Sequence, residues 1–309
     1  MISRRNIRVK VMQTLYTWTT QADGAKDADA QRLLQKHFDR SRDLLQYMLY
    51  FLSEVASYAE LDSYQRRSKH LPSAEDLNVN IKIAGNELLW TIKEDPSLAA
   101  EWNQSNAASR IDRDLVRSLY QKMAASTQYH EYIASESRER KSERAILEFI
   151  LEELMLPDDN FISHIEELFA NWDDDGEMVV QIIQGFLQKP AAVHIDQFIS
   201  GEKLQFAKSL LSTVLEKREH LESYIHPKLK NWDAERIAAL DMILMKMGVA
   251  ELLYFETIPP KVTINEYIEL AKEYSTPQSG QFINGILDGI HKDLVTAGEL
   301  HKTDFRKSR

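Results

Sequence analysis

The fold is decided by residues 232–290, which read WDAERIAALDMILMKMGVAELLYFETIPPKVTINEYIELAKEYSTPQSGQFINGILDGI. The first part, about residues 234–255, carries apolar side chains on almost every side of a helix. That pattern is typical of the buried centre of a helical bundle. The double proline at 259–260 predicts a break after this central helix.

Two further helices are expected after the break. Thr263, followed three residues later by Glu266, predicts a capping box at the start of the first. The sequence Ser275-Thr276-Pro277 predicts the start of the second, with proline in the first turn. Apolar residues recur at helical spacing in both segments.

The rest of the chain has the same character. Apolar residues recur at spacings of three and four in Asp39–Leu61 and again over residues 142–156. The segment VHIDQFI (193–199) is the only short strand candidate and could equally open a helix, and the run DDDG at 173–176 is interpreted as a turn. The predicted fold class is all-α.

Composition excludes several classes of protein. The 309 residues include no cysteine, which rules out disulfide scaffolds, thiolate metal sites and cysteine nucleophiles. The sequence contains no run of about 18 apolar residues, so no membrane span is predicted. The basic N-terminus lacks the apolar core of a signal peptide, so we expect a cytoplasmic protein with no membrane partner.

Charge is divided unevenly along the chain, whose formal net charge is −10. Residues 23–200 contain 19 Lys and Arg against 32 Asp and Glu, a balance of −13, and the remainder has a balance of +3. A net negative charge argues against a protein that coats nucleic acid, because phosphate contacts need cations. The acidity, however, belongs to the middle of the chain.

The N-terminal segment Arg4–Trp18 predicts an amphipathic helix. Ile7, Val11, Leu15 and Trp18 form one apolar stripe, while Arg5, Met12 and Tyr16 fall on the far side with Arg8 at its edge. Arginine can grip phosphate and tyrosine can stack on an unpaired base, so this side suits RNA. The alternative is a solvated helix whose arginines only maintain solubility.

These two motifs resemble the NusB family of bacterial transcription antitermination factors. The family pattern runs YEL, PxKVxINEAIELAK and SxxFVNGVLD, and its first helix reads RRxxRxxxxQxLYxW; the matching stretches here are 232–290 and RRNIRVKVMQTLYTW (4–18). The resemblance implies two small three-helix bundles. It predicts a core of residues 1–22 and 202–295, an acidic helical insertion at 23–201 and a flexible basic tail at 296–309.

The resemblance also implies a function. Family members bind single-stranded boxA RNA of ribosomal RNA operons together with NusE, a small-subunit ribosomal protein, and act on the transcription elongation complex. Asn6 replaces a family arginine, Gln278 stands where an acidic residue is common, and Asp241 stands where the family has Glu. With Lys10 added from the charge pattern, the predicted RNA-binding residues are Arg4, Arg5, Arg8, Lys10, Gln13, Tyr16, Lys261 and Phe282, and the predicted partner-binding residues are Asp241, Gln278 and Ser279.

An enzyme finds little support in the sequence. The nine histidines show no metal-ligand spacing, and the chain has no GxSxG motif and no Gly-rich phosphate loop, so we predict no catalytic residues, no metal and no cofactor. Some RNA cytosine methyltransferases carry a NusB-like domain, but they need a catalytic domain after it. The main alternative is a helical protein–protein adaptor that uses the fold without binding RNA.

Overall fold

The computed structural model describes residues 2–20, 27–190, 198–229 and 237–303. Every regular element within these ranges is a helix, so the all-α prediction is confirmed. The strand candidate lies mainly outside the described residues, since its first five positions, 193–197, are not covered. None of the described helices is long and apolar enough to cross a membrane.

The chain forms two compact units, which we name by their place in the sequence. The middle unit comprises residues 39–198, and the terminal unit comprises residues 2–38 with 199–309. Charge follows this division: the middle unit contains 16 Lys and Arg against 29 Asp and Glu, and the terminal unit contains 22 against 19. The predicted boundaries at 22 and 202 stay a prediction.

The middle unit is a set of short helices around an aromatic core. Side chains of Asn86, Asp95 and Asp112 accept hydrogen bonds from the first-turn amides of three helices, which fixes where those helices begin. Asp173–Asp175 lie in the first turn of a helix, where the dipole favours acidic side chains, and do not form the predicted turn. A π-helical segment at Ile150–Met155 precedes Pro157. After α1 (Arg4–Thr20) and α2 (Asp27–Arg67), which reaches into both units, the helices are α3 (Ala74–Leu77), α4 (Glu87–Lys93), α5 (Pro96–Gln104), α6 (Ala107–Arg110), α7 (Arg113–Ala124), α8 (Thr127–Ala134), α9 (Arg140–Phe149), α10 (Asp159–Leu168) and α11 (Trp172–Gln188).

The terminal unit is built around one central helix. Its helices are α1, the start of α2, α12 (Gly201–Glu216), α13 (Arg218–Ile225), α14 (Ala239–Tyr254), α15 (Pro260–Tyr274) and α16 (Ser279–Ala297). Helices α1, α12 and α14 pack on one another, and α14, α15 and α16 form a second such group. A Cβ at Gly248 would approach the Leu287 side chain to 2.8 Å, so glycine is what lets α14 lie this close to α16. The predicted burial of α14 is therefore correct.

Helix α14 begins at Ala239 and not at about residue 234 as predicted, and two further predicted helix starts are wrong. Helix α15 begins at Pro260, three residues before the predicted cap, and the Thr263 hydroxyl donates to the buried carboxylate of Glu251 instead of capping a helix. Helix α16 begins at Ser279, so Pro277 precedes it. In both places a tertiary hydrogen bond or the fixed φ of proline outweighs the local capping pattern.

Candidate nucleic-acid interface

Helix α1 presents only a narrow strip to solvent. Ile7, Val11 and Leu15 are buried, as the periodicity predicts. Met12 is buried as well, contrary to the predicted far side, because α1 packs against both α12 and α14. The residues of α1 that keep exposed or half-exposed side chains and were predicted to bind RNA are Arg4, Arg5, Gln13 and Tyr16, which we call the α1 strip.

Arg8 is not on this strip. Only 2% of Arg8 is exposed, so the prediction that it lies at the edge of the solvent-facing side is wrong. Its Nε donates to Glu251 Oε1 at 2.6 Å and its Nη2 donates to Glu251 Oε2 at 3.0 Å. A third nitrogen, Nη1, lies 3.2 Å from Glu266 Oε2. The guanidinium is thus held by two carboxylates inside the unit.

Glu251 is the residue that positions α1 from within the unit, and the sequence reasoning missed it. It is fully buried and accepts hydrogen bonds from Arg8, from Tyr267 Oη at 2.7 Å and from Thr263 Oγ1 at 3.3 Å. The available signal was a carboxylate among apolar residues in the second half of the predicted central helix, where Val249, Leu252 and Leu253 surround it in sequence. A buried carboxylate needs a cation and hydrogen-bond donors, and Arg8 supplies the cation.

Burial and charge shift the pKa values in this cluster. Burial alone would lower the pKa of Arg8, but the hydrogen bond and the negative charge of Glu251 outweigh it and raise that pKa. Burial, and then the charge of Glu251, raises the pKa of Tyr267 well above its ordinary value. Arg8 therefore remains charged and Tyr267 remains a neutral donor at physiological pH. The cluster ties α1 to α14 and α15.

Lys10 is also buried, with 1% of the residue exposed, although the sequence placed it beside the solvent-facing side. Its Nζ donates to Gln13 Oε1 at 3.3 Å, and Thr14 Oγ1 donates to the Lys10 carbonyl at 2.7 Å. Lys10 therefore does not extend into solvent, and the prediction that it lies beside the solvent-facing side is wrong. Of the four cations in the first ten residues, Arg4 and Arg5 are the two with substantially exposed side chains.

Arg4 and Arg5 are both ion-paired. Arg4 Nη2 lies 2.8 Å from Glu202 Oε1 on α12, and Arg5 Nη2 lies 2.8 Å from Glu273 Oε2 near the end of α15. All four side chains are substantially exposed, so these pairs differ from the buried pair of Arg8. Tyr16 is 46% exposed.

A groove of about 440 Å³ lies next to the α1 strip. Gln13 and Tyr16 line one side of it, and the connection from α15 to α16 lines another through Ser275 and Thr276. Most of the groove surface is apolar. The structure thus brings Gln13 and Tyr16 to a concave surface that could accept a flat ring.

The remaining predicted residues lie at different places. Lys261 is exposed in the first turn of α15, about 20 Å along the helix axis from Tyr274 at the groove, so it does not join the α1 strip. Phe282 is half-buried in the first turns of α16 and does not line the groove. Gln278 is exposed just before α16.

Asp241 and Ser279, predicted to bind a partner, are buried and bonded to each other. Ser279 Oγ donates to Asp241 Oδ2 at 2.8 Å, and Ser275 Oγ donates to Asp241 Oδ1 at 2.7 Å. One carboxylate on α14 thereby holds both ends of the α15–α16 connection. The buried pair adjoins the exposed Gln278, which directly precedes Ser279 in the chain.

Comparison with known proteins adds the family. Residues 165–292 match the NusB family model. The chain is 40% identical over 139 residues to the transcription antitermination protein NusB of Salinibacter ruber, an alignment that covers 45% of this chain and 82% of that protein. The chain belongs to the NusB family.

Other NusB proteins match shorter parts of the chain. That of Chloroherpeton thalassium is 40% identical over 98 residues, covering 32% of this chain and 46% of the relative. That of Methylacidiphilum infernorum is 46% identical over 83 residues, covering 27% and 58%. No solved structure matches the chain.

The match to the NusB family model, residues 165–292, includes the carboxylates of the buried cluster and the α15–α16 connection that lines the groove. It does not include α1. Glu251, Asp241 and Ser279 all lie between residues 165 and 292. The role of α1 therefore depends on the contacts described above. Within the described residues, no group of three or more His, Asp or Glu side chains could hold a metal ion.

Proposed function

We propose that this NusB-family protein is a non-catalytic transcription antitermination factor that binds boxA-type single-stranded RNA of ribosomal RNA operons together with NusE. The observation that carries the proposal is the α1 strip, in which Arg5 and Tyr16 lie on one side of the helix about 16 Å apart along its axis. Action on the transcription elongation complex and a cytoplasmic location belong to the same proposal.

The chemistry of the strip suits an unpaired RNA strand. Arg4 and Arg5 can bind successive phosphates, and Tyr16 stands at the rim of an apolar groove where a splayed base can stack. Arg8 and Lys10 are buried, so in this proposal they orient α1 and do not meet phosphate directly. Gln278 and the surface above Asp241 and Ser279 are assigned to NusE, while Lys261 and Phe282 are assigned to outlying RNA contacts.

Fluorescence anisotropy with a labelled boxA RNA, with and without NusE, tests the proposal. We expect Arg4→Glu/Arg5→Glu to weaken binding strongly, and wild-type affinity to fall with salt with a slope of about −0.7 per phosphate neutralised. The matched control is Lys217→Glu/Arg218→Glu. It also reverses two adjacent exposed positive charges, but at the start of α13, away from the strip. Equal affinities for the strip variant and the wild type would overturn the RNA assignment.

One observation favours the adaptor as a second candidate. Both exposed arginines of the strip already have carboxylate partners, as expected of a surface that does not meet phosphate. An adaptor would co-purify with NusE and show no difference between boxA RNA and a scrambled strand. The two candidates are therefore separated by the RNA arm of the same experiment.

A further inference from the structure

The arginines of the α1 strip are neutralised by their own fold. The pairs Arg4–Glu202 and Arg5–Glu273 contain two positive and two negative charges at 2.8 Å separations. The two carboxylates belong to different helices, Glu202 to α12 and Glu273 to α15. As folded, the strip presents almost no net charge to an approaching phosphate.

Helix α15 carries a row of carboxylates along the side that meets α1. Glu266, Glu269 and Glu273 follow one another at helical spacing, so they share a face. Glu266 contacts Arg8 and Glu273 contacts Arg5. The hydrogen bond and charge of Lys272 are the main cause of the lowered pKa of Glu269. The positive charge of Arg5 lowers this pKa further, so Glu269 also interacts electrostatically with Arg5.

The two exposed pairs differ from the buried one in what an incoming ligand can do to them. An exposed ion pair is weak because water and salt screen it, so a phosphate can displace its carboxylate. The Arg8–Glu251 pair is buried and has additional donors from Tyr267 and Thr263, so it stays intact. Displaced carboxylates at Arg4 and Arg5 would remain beside the RNA backbone and repel it.

We propose that Glu202 and Glu273 compete with RNA phosphates for Arg4 and Arg5 and thereby set a low intrinsic affinity for RNA. This inference depends on the proposed RNA-binding function. The two glutamates act on the contact through the arginines they hold. RNA binding at this strip is then an exchange of carboxylate for phosphate.

The test compares Glu202→Gln/Glu273→Gln with the wild type in boxA RNA binding over a series of salt concentrations. Glutamine keeps the size of the side chain and removes the charge. We expect about tenfold tighter binding at low salt, or about 1.4 kcal/mol, since the two carboxylates no longer compete with phosphate. The gain should shrink at high salt, where exposed charges are screened.

The matched control is Glu216→Gln/Glu219→Gln, which removes two exposed carboxylates at the junction of α12 and α13. An equal gain in this control, or no gain in the Glu202/Glu273 variant, overturns the inference. If the wild type binds boxA RNA and loses it on Arg4→Glu/Arg5→Glu while the glutamine variant is unchanged, the inference alone fails. If neither the wild type nor the glutamine variant binds RNA, the proposed function fails and the inference fails with it.

Discussion

Arg8 and Glu251 form a buried two-point ion pair between α1 and α14, with nitrogen–oxygen distances of 2.6 and 3.0 Å. The two residues are 243 positions apart in sequence. Each residue explains the burial of the other, because a buried carboxylate and a buried guanidinium each need a partner of opposite charge. The pair fixes α1, and with it Arg5 and Tyr16, which lie about a quarter turn or less from Arg8 around that helix.

Removal of one partner of this pair should destabilise the terminal unit strongly. We expect Arg8→Met or Glu251→Leu to lower the free energy of unfolding by about 3–5 kcal/mol, because the remaining charge stays buried without its partner. The double variant Arg8→Met/Glu251→Leu should lose less than the sum of the single changes. Hydrogen exchange of α1 and α14 amides in urea measures this unit separately from the rest of the chain.

Arg5→Met is the control for this cycle. Its pair with Glu273 is exposed, so its removal should cost less than about 1 kcal/mol. Similar losses for Arg5→Met and Arg8→Met would contradict a structural role for the buried pair.

Asp241→Ala should loosen the α15–α16 connection. The carboxylate accepts hydrogen bonds from Ser275 and Ser279, and the loss of a buried acceptor leaves these hydroxyls unsatisfied at a cost of about 1–3 kcal/mol. Hydrogen exchange should quicken at residues 275–280. Gln278→Ala, which changes an exposed side chain in the same connection, should leave exchange unchanged; matching rates in the two variants would argue against the anchoring role.

Sequence alone predicted the elements whose pattern is internal to one helix. The spacing of Ile7, Val11 and Leu15 identified the buried side of α1, and the apolar character of α14 identified the central helix. Periodicity reports only which side of a helix is apolar. It does not report how many neighbouring helices cover the other side, and for that reason Arg8 and Lys10 were placed near solvent.

The helix starts and the cluster around Glu251 show the same limit. Thr263 and Glu266 fit a local capping pattern, yet in the fold Thr263 donates to Glu251 and Glu266 contacts Arg8. Each side chain has a better partner on a helix distant in sequence. Such pairings become predictable only when the positions of α1, α14 and α15 are known together.

The middle unit should lose stability as the pH falls below about 6.5. His164 Nε2 lies 2.7 Å from Tyr47 Oη, and burial lowers the pKa of His164. In the unfolded chain this imidazole takes up a proton near pH 6.5. Below that pH the unfolded state binds more protons than the folded state, so the contribution of His164 is complete above 6.5 and is lost on acidification.

Melting temperatures measured from pH 8 to pH 5 check this expectation. His164→Gln should show a shallower decline than the wild type over that range. His130→Gln, at an exposed position on α8 of the same unit, should follow the wild type. Parallel curves for all three proteins would exclude His164 as the source of the pH dependence.

Lys302 should titrate far below an ordinary lysine. Its Nζ donates to the carbonyl oxygens of Glu251 and Phe255, each at 2.8 Å, at the C-terminal end of α14. Burial lowers the pKa of Lys302 to about 8, against the opposing charges of Glu251 and Glu256. The unfolded lysine keeps its proton to about pH 10.4, so stability should rise with pH between 8 and that value.

Side-chain NMR of the full chain measures this titration directly. The resonance assigned to Lys302, identified by its absence in Lys302→Gln, should shift with a midpoint near pH 8. The melting temperature of the wild type relative to Lys302→Gln should rise between pH 8 and pH 10, while Lys292→Gln, an exposed position on α16, should show no such trend against the wild type. A midpoint above pH 10 would mean that Lys302 is solvated and does not bind the end of α14.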